Sequence, residues 1–172
     1  ISIASDEWDA NRILHDDVVR VLNEHMNGWT VDENSKCVYS KHQESAMVRY
    51  FPPCGVKVLP DGVGIYCVFD DVNLHGCEIA AWQENDKRNV DLRVKSEEEG
   101  TEWHIGDRTW PAWRGIWGGN RDAVKEDKYA YERGMAWTPE FFCRIQCDLE
   151  FKKAIVEDLA NSILKLYEIL TA

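Results

Sequence analysis

Several signatures are missing from this 172-residue chain. No apolar run approaches the roughly 20 residues that a helix needs to cross a bilayer, so the sequence excludes a helical membrane span. The N-terminus also lacks the basic region and hydrophobic core of an export signal. The chain begins at Ile1 rather than Met, as a trimmed or excised piece would. A soluble, cytoplasmic protein without membrane contact is the expectation.

The common catalytic motifs are absent as well. There is no Gly-x-Ser-x-Gly elbow, and Ser40, Ser45 and Ser96 lie in polar segments with nothing nearby to activate a hydroxyl. No phosphate-binding loop occurs, because Gly115–Gly119 lacks both the lysine and the strand-to-helix context. Structural zinc announces itself by paired short cysteine spacings, and none is found. His15 and His25 are too far apart to share a metal across adjacent turns and read as surface histidines. Cys143 and Cys147 fall one helical turn apart and offer at most half a site; the simpler expectation is two small residues facing a core. No cofactor is expected.

Basic residues are also scarce. Twenty Lys and Arg stand against 31 Asp and Glu, a formal charge of −11. Such a surface repels nucleic acid and anionic membrane and favours basic partners, which makes direct nucleic-acid binding unexpected.

What is present is a globular composition, 44% hydrophobic and 30% charged, in a length that suits one domain over residues 1–172. The six cysteines are scattered, and they read as mostly buried free thiols of a reducing compartment. Trp8, Leu14, Val18, Leu22 and Met26 recur at helical spacing after Ser5-Asp6, which predicts a first amphipathic helix stopped near Gly28. Short extended pieces follow at 28–31, 37–39 and 46–51, separated by polar turn-formers, and read as an antiparallel meander ended by Pro52-Pro53.

The strongest β signal is the pair Val63–Phe69 and Cys77–Trp82. Ile65, Cys67 and Phe69 alternate with Tyr66 and Val68, all bulky, so both faces of this strand should be covered and it belongs in the middle of a sheet. Ala80-Ala81 in the second strand is small enough to admit a close helix. Val90, Leu92 and Val94 alternate within a polar segment that reads as an edge strand or as irregular. Trp103–Ile105 reads as a short strand, residues 106–117 as a loop folded over the core, and residues 120–133 as a charged excursion. Thr138-Pro139-Glu140 starts a short helix through Cys147. Phe151, Ile155, Leu159, Ile163, Leu166 and Leu170 define a long terminal helix. Together these elements predict an α+β domain: a mostly antiparallel sheet of five or six strands flanked by N- and C-terminal amphipathic helices.

Two groups of residues offer themselves as a site. Trp110, Trp113, Arg114 and Trp117 crowd one stretch, and Trp with Arg is the composition of binding hot spots, although the rings also suit a core plug. Asp70, Asp71 and His75 sit in the loop where the buried strand ends. A metal-dependent nuclease requires two or three acids and a lysine, the last acid and the lysine one residue apart on a strand. Asp61 is available as the first acid, but Glu78 is followed by Ala80 rather than lysine, and Glu126-Asp127-Lys128 lies in the polar excursion.

The succession FDDVNLHG, WHIGDRTWPAWRGIW, MAWTPEFF and the terminal FKKAIVEDLANSILKLYEIL resembles the C-terminal portion of some prokaryotic PD-(D/E)XK nuclease superfamily proteins, over about Tyr50 to Leu170. In that resemblance the region follows the nuclease core rather than forming it. The superfamily's catalytic strand pair is not recognisable, so no catalytic residue carries over. The resemblance implies a prokaryotic or phage accessory domain that recognises a partner or serves a defence system. The leading expectation is therefore a non-catalytic domain acting through protein contacts. A nuclease or its remnant is one alternative; the other is an acidic inhibitor or immunity-type protein that mimics nucleic acid or blocks a basic active site.

Overall fold

A computed structural model describes residues 3–32, 36–40, 43–69, 77–83, 103–105, 110–116 and 139–172. Helix α1 (Ile3–His25) leads into strands β1 (Thr30–Asp32), β2 (Lys36–Ser40), β3 (Gln43–Phe51), β4 (Val63–Phe69), β5 (Cys77–Gln83), β6 (His104–Ile105) and β7 (Ala112–Gly115). Helices α2 (Pro139–Cys147) and α3 (Leu149–Thr171) close the chain. The predicted α+β class, with first and last helices flanking an antiparallel sheet, is what the structure shows. No helix among the described residues is long and apolar enough to cross a membrane.

Every strand pairing is antiparallel, in the order β1-β3-β4-β5-β7-β6 with β2 also on β3. The described sheet thus has seven strands. The first three do not form a simple meander. β2 pairs with the first half of β3 and β1 with its second half, Lys36 opposite Ala46 and Thr30 opposite Phe51, so the two short strands lie in tandem along one edge. The long β3 offers more backbone groups than either short strand can satisfy, and both are needed to fill its ladder. β4 and β5 occupy the centre as their apolar composition predicts, Tyr66 opposite Ala80.

Strand alternation divides the side chains between two faces. Val48, Tyr50, Ile65, Cys67, Cys77, Ile79, Ala81 and Ala112 join Leu14, Val18 and Leu22 of α1 and the apolar stripe of α3 in one core cluster. Ile155, Leu159, Ile163 and Leu166 of that stripe are fully buried, each such side chain contributing about 1.5–3 kcal/mol relative to exposure. Of the two small residues in β5, Ala81 lies on this helix side, where it admits α3, and Ala80 on the other. Lys152 Nζ meets Asp17 Oδ2 at 2.7 Å and ties α3 to α1.

The helix ends follow local chemistry. Asp148 caps α3, its Oδ1 accepting from Phe151 N at 3.1 Å, and so separates α2 from α3. At the end of α1 the Asn23 carboxamide oxygen accepts from the backbone N–H of both Gly28 and Trp29, each at 2.8 Å. Gly28 turns there with φ of 114°, and a Cβ at that position would stand 3.0 Å from Pro53 Cβ. Glycine answers both demands.

Four expectations are corrected. His15 is buried, not a surface residue, and shares a hydrogen bond with Tyr50 Oη inside the core. Its desolvation lowers the imidazole pKa to about 3, so the ring stays neutral. Cys143 and Cys147 are exposed rather than core-facing, because Phe141 and Ile145 occupy the buried side of α2. The five described cysteines are free thiols, but Cys54, Cys143 and Cys147 are exposed and only Cys67 and Cys77 are buried. Residues 112–115 form β7 instead of a loop, since β5 has a free ladder edge that satisfies their backbone. The edge strand expected around Val90–Val94, the excursion 120–133 and the side chain of Cys37 lie outside the described residues.

Candidate functional site

The second face of the sheet is built from the alternate positions of the same strands. Met47, Tyr66, Val68 and Ala80 form its buried centre, and Trp82, Trp110 and Trp113 pack against them half-buried. Bulky residues on both sides of β4 are thus observed, Ile65 and Cys67 beneath the helices and Tyr66 and Val68 opposite.

The rings make a connected row. Tyr66 meets Trp82 edge-on, with centroids 5.6 Å apart and planes at 89°, and Trp82 lies 6.5 Å from Trp110 at 47°. Trp113 stands opposite Ala80, whose small side chain leaves space for an indole in the neighbouring strand. Pro111 and the β5 ladder bring Trp110 and Trp113 onto this face together. Such edge-to-face pairs are worth about 0.5–1.5 kcal/mol beyond the area they bury.

Arg49 extends the row toward the sheet edge. Its guanidinium carbon lies 4.7 Å from the Phe51 ring centroid and 5.6 Å from that of Tyr66, within cation–π range. Gly64, in the adjoining strand, leaves room for this stack: a Cβ there would come within 2.6 Å of the Tyr66 ring and 3.1 Å of Arg49 Nε.

The sequence-derived candidates separate in space. Trp110 and Trp113 share the aromatic face, but Arg114 follows Trp113 in a strand and points the other way. Its Nη1 donates to Asp158 Oδ1 of α3 at 2.7 Å and also to Ser162 Oγ, at 15% side-chain exposure. Arg114 thus anchors the sheet to a helix, and it shares no surface with the tryptophans. Trp117, Asp70, Asp71 and His75 lie outside the described residues. Asp61 lies in the loop between β3 and β4. Among the described residues no three His, Cys, Asp or Glu side chains converge as metal ligands.

Arg49, Tyr66 and Trp82 also belong to this face, although no sequence motif singles them out. Each looks like an ordinary strand residue, and only the pairing register reveals that they line up beside Trp110 and Trp113. The signal was the alternation Met47-Arg49-Phe51 and Ala80-Trp82, which marks a face without saying what neighbours it.

Below the sheet, Cys67 and Cys77 approach to 3.3 Å between sulfurs. Burial, then the neighbouring Cys67, pushes the Cys77 thiol well above its usual pKa, which leaves it protonated and unreactive.

The arrangement defines an α+β protein with helices on one side of an antiparallel sheet and an aromatic row with an arginine on the other. No protein-family model, curated protein or solved structure matches the chain.

Proposed function

We propose that this protein is a non-catalytic binding domain that acts through protein contacts, with the aromatic sheet face around Trp110 and Trp113 as its contact surface. The observation that supports the reading is the half-buried row of Trp82, Trp110 and Trp113 beside the stacked Arg49. Trp and Arg anchored in a well-packed setting are the residues that carry most binding energy at protein interfaces. The three described helices pack on the opposite side, so they leave this row in place.

The reading extends to a cytoplasmic accessory domain of a prokaryotic or phage defence system, which the sequence resemblance to PD-(D/E)XK superfamily proteins suggests. The nuclease alternative has no geometric support among the described residues. The nucleic-acid-mimic alternative rests on net charge alone.

The test is affinity capture from the native source with wild-type protein, Trp110→Ala, Trp113→Ala and an exposed control, Glu150→Ala. A partner retained by wild type and control and lost with either tryptophan variant, at unchanged thermal stability, is the expected result. Divalent-ion-dependent DNA cleavage by the purified protein would overturn it.

A further inference from the structure

The loop between β3 and β4 (residues 52–62) borders an open groove of about 500 Å³, and Arg49 forms part of its wall together with Pro52, Pro53, Lys57, Val58 and Leu59. The loop is fixed from below, where Tyr167 Oη of α3 donates to the Lys57 carbonyl at 2.6 Å. Val56 and Leu59 pack against the main core. The groove is therefore held by tertiary contacts rather than by the loop alone.

Two cations, Arg49 and Lys57, and one carboxylate, Asp61, line this groove in a protein whose formal charge is −11. Among the described residues neither Arg49 nor Lys57 has a carboxylate within 4.0 Å, whereas Arg20, Arg114, Arg144, Lys152 and Lys165 all have one. Arg49 is half-buried, and its Nε is fully covered with no hydrogen-bond partner. Rings of Phe51 and Tyr66 lie beside the guanidinium, and Gly64 lets its inner edge approach β4. Such packing orients the group in advance, so its remaining N–H donors are preset for a planar acceptor.

We infer that this groove is a carboxylate-binding site, made for the C-terminal carboxylate of a partner protein's apolar segment, with Arg49 as its anchoring cation. A carboxylate matches the planar fork of arginine in a two-point hydrogen bond. Prolines, Val58 and Leu59 favour an apolar body next to it over a fully hydrated anion such as phosphate. Val58 is 86% exposed, and an apolar ligand seated beside it would cover that side chain. Lys57 adds a second positive charge at the wall. The inference rests on the reading of this protein as a protein-binding domain and specifies what its partner presents beside the tryptophans.

The probes are N-acetyl-leucine, which carries both a carboxylate and an apolar body, its amide, and inorganic phosphate, each titrated into the whole chain by NMR at millimolar concentration. Saturable binding of N-acetyl-leucine, with shifts at Arg49 and the 52–62 loop, is expected, at least tenfold tighter than the amide or phosphate. Arg49→Gln should weaken it tenfold or more. Val58→Glu, an exposed change that supplies a competing carboxylate without disturbing the core, should weaken it as well, while the exposed control Glu150→Ala leaves it unchanged. Equal binding of the amide or phosphate, or full affinity in both Arg49→Gln and Val58→Glu, would overturn the assignment. Failure here alongside tryptophan-dependent partner capture would leave the binding-domain reading standing and remove only the groove from it.

Discussion

Arg114 of β7 and Asp158 of α3 form an ion pair of 2.7 Å at 15% and 10% side-chain exposure, and Ser162 on the next turn of α3 shares the same guanidinium nitrogen. It joins a strand near one edge of the sheet to the longest buried helix face. Two charges withdrawn this far from water are costly unless each keeps the other. Asp158→Ala should therefore destabilise the protein by about 3–5 kcal/mol, because it removes the carboxylate that balances the Arg114 charge. The double change Arg114→Met with Asp158→Leu should cost much less than the single one. Urea unfolding monitored by tryptophan fluorescence measures both.

His15 gives the protein a defined acid sensitivity. Its pKa is about 3 in the fold, against 6.5 in the unfolded chain. Below pH 6.5 the unfolded state gains a proton that the native state refuses, so stability falls as the pH drops from 6.5 toward 3 and is fully present above 6.5. One such proton contributes a slope of about 1.4 kcal/mol per pH unit within that window. His15→Gln should flatten the acid limb by that one-proton slope, whatever its effect on stability at pH 8. Denaturant midpoints collected from pH 8 to 4 would show the change.

Thiol reactivity should divide by burial. Cys54, Cys143 and Cys147 are exposed and should alkylate with iodoacetamide in the native protein, whereas Cys67 and Cys77 should remain unmodified until denaturant is added. The raised pKa of Cys77 removes the thiolate that alkylation requires, in addition to the steric cover. Site-resolved mass spectrometry after a timed pulse reads each position separately. Modification of Cys67 at the rate of Cys143 would contradict the packing of β4.

Tyr167→Phe removes the hydrogen bond to Lys57 while keeping the ring that meets Trp29 edge-on at 5.5 Å. The expected loss is about 1 kcal/mol. Hydrogen exchange should accelerate between Val56 and Leu59 and stay unchanged in β4 and β5. A uniform acceleration would mean that the bond supports the whole fold rather than the loop.

Much of the secondary structure was legible from side-chain periodicity. The spacing of Leu14, Val18 and Leu22 places them on one stripe of a helix wherever that helix lies, and the same holds for Ile155, Leu159 and Ile163. Pro139 marks the start of α2 because a proline at the first helical turn loses no hydrogen bond. β4 and β5 were readable since a run of bulky residues with alternate spacing is buried on both faces in any sheet that contains it. These features depend on neighbours a few residues away.

The candidate site was legible only in part. Trp110 and Trp113 stood out by residue type, but composition does not separate Trp113 from Arg114. A strand sends consecutive side chains to opposite faces, and until residues 112–115 pair with β5 nothing shows that they form a strand. Arg49 and Tyr66 needed the same information from β3 and β4.

The sequence by itself determined the helical stripes, the central strands and the formal charge of −11, because each follows from residue type and local spacing. The tertiary structure alone decided that His15 is buried against Tyr50, that Cys143 faces solvent, that Arg114 belongs to α3, and that Arg49 stacks beside the tryptophan row. The paired groups among these, His15 with Tyr50 and Arg114 with Ser162, lie 35 and 48 positions apart in the chain, and their meeting is set by which strand edges join and which helix covers which face. Short-range chemistry constrains each partner without selecting the pairing, and packing the sheet against α1 and α3 makes that selection.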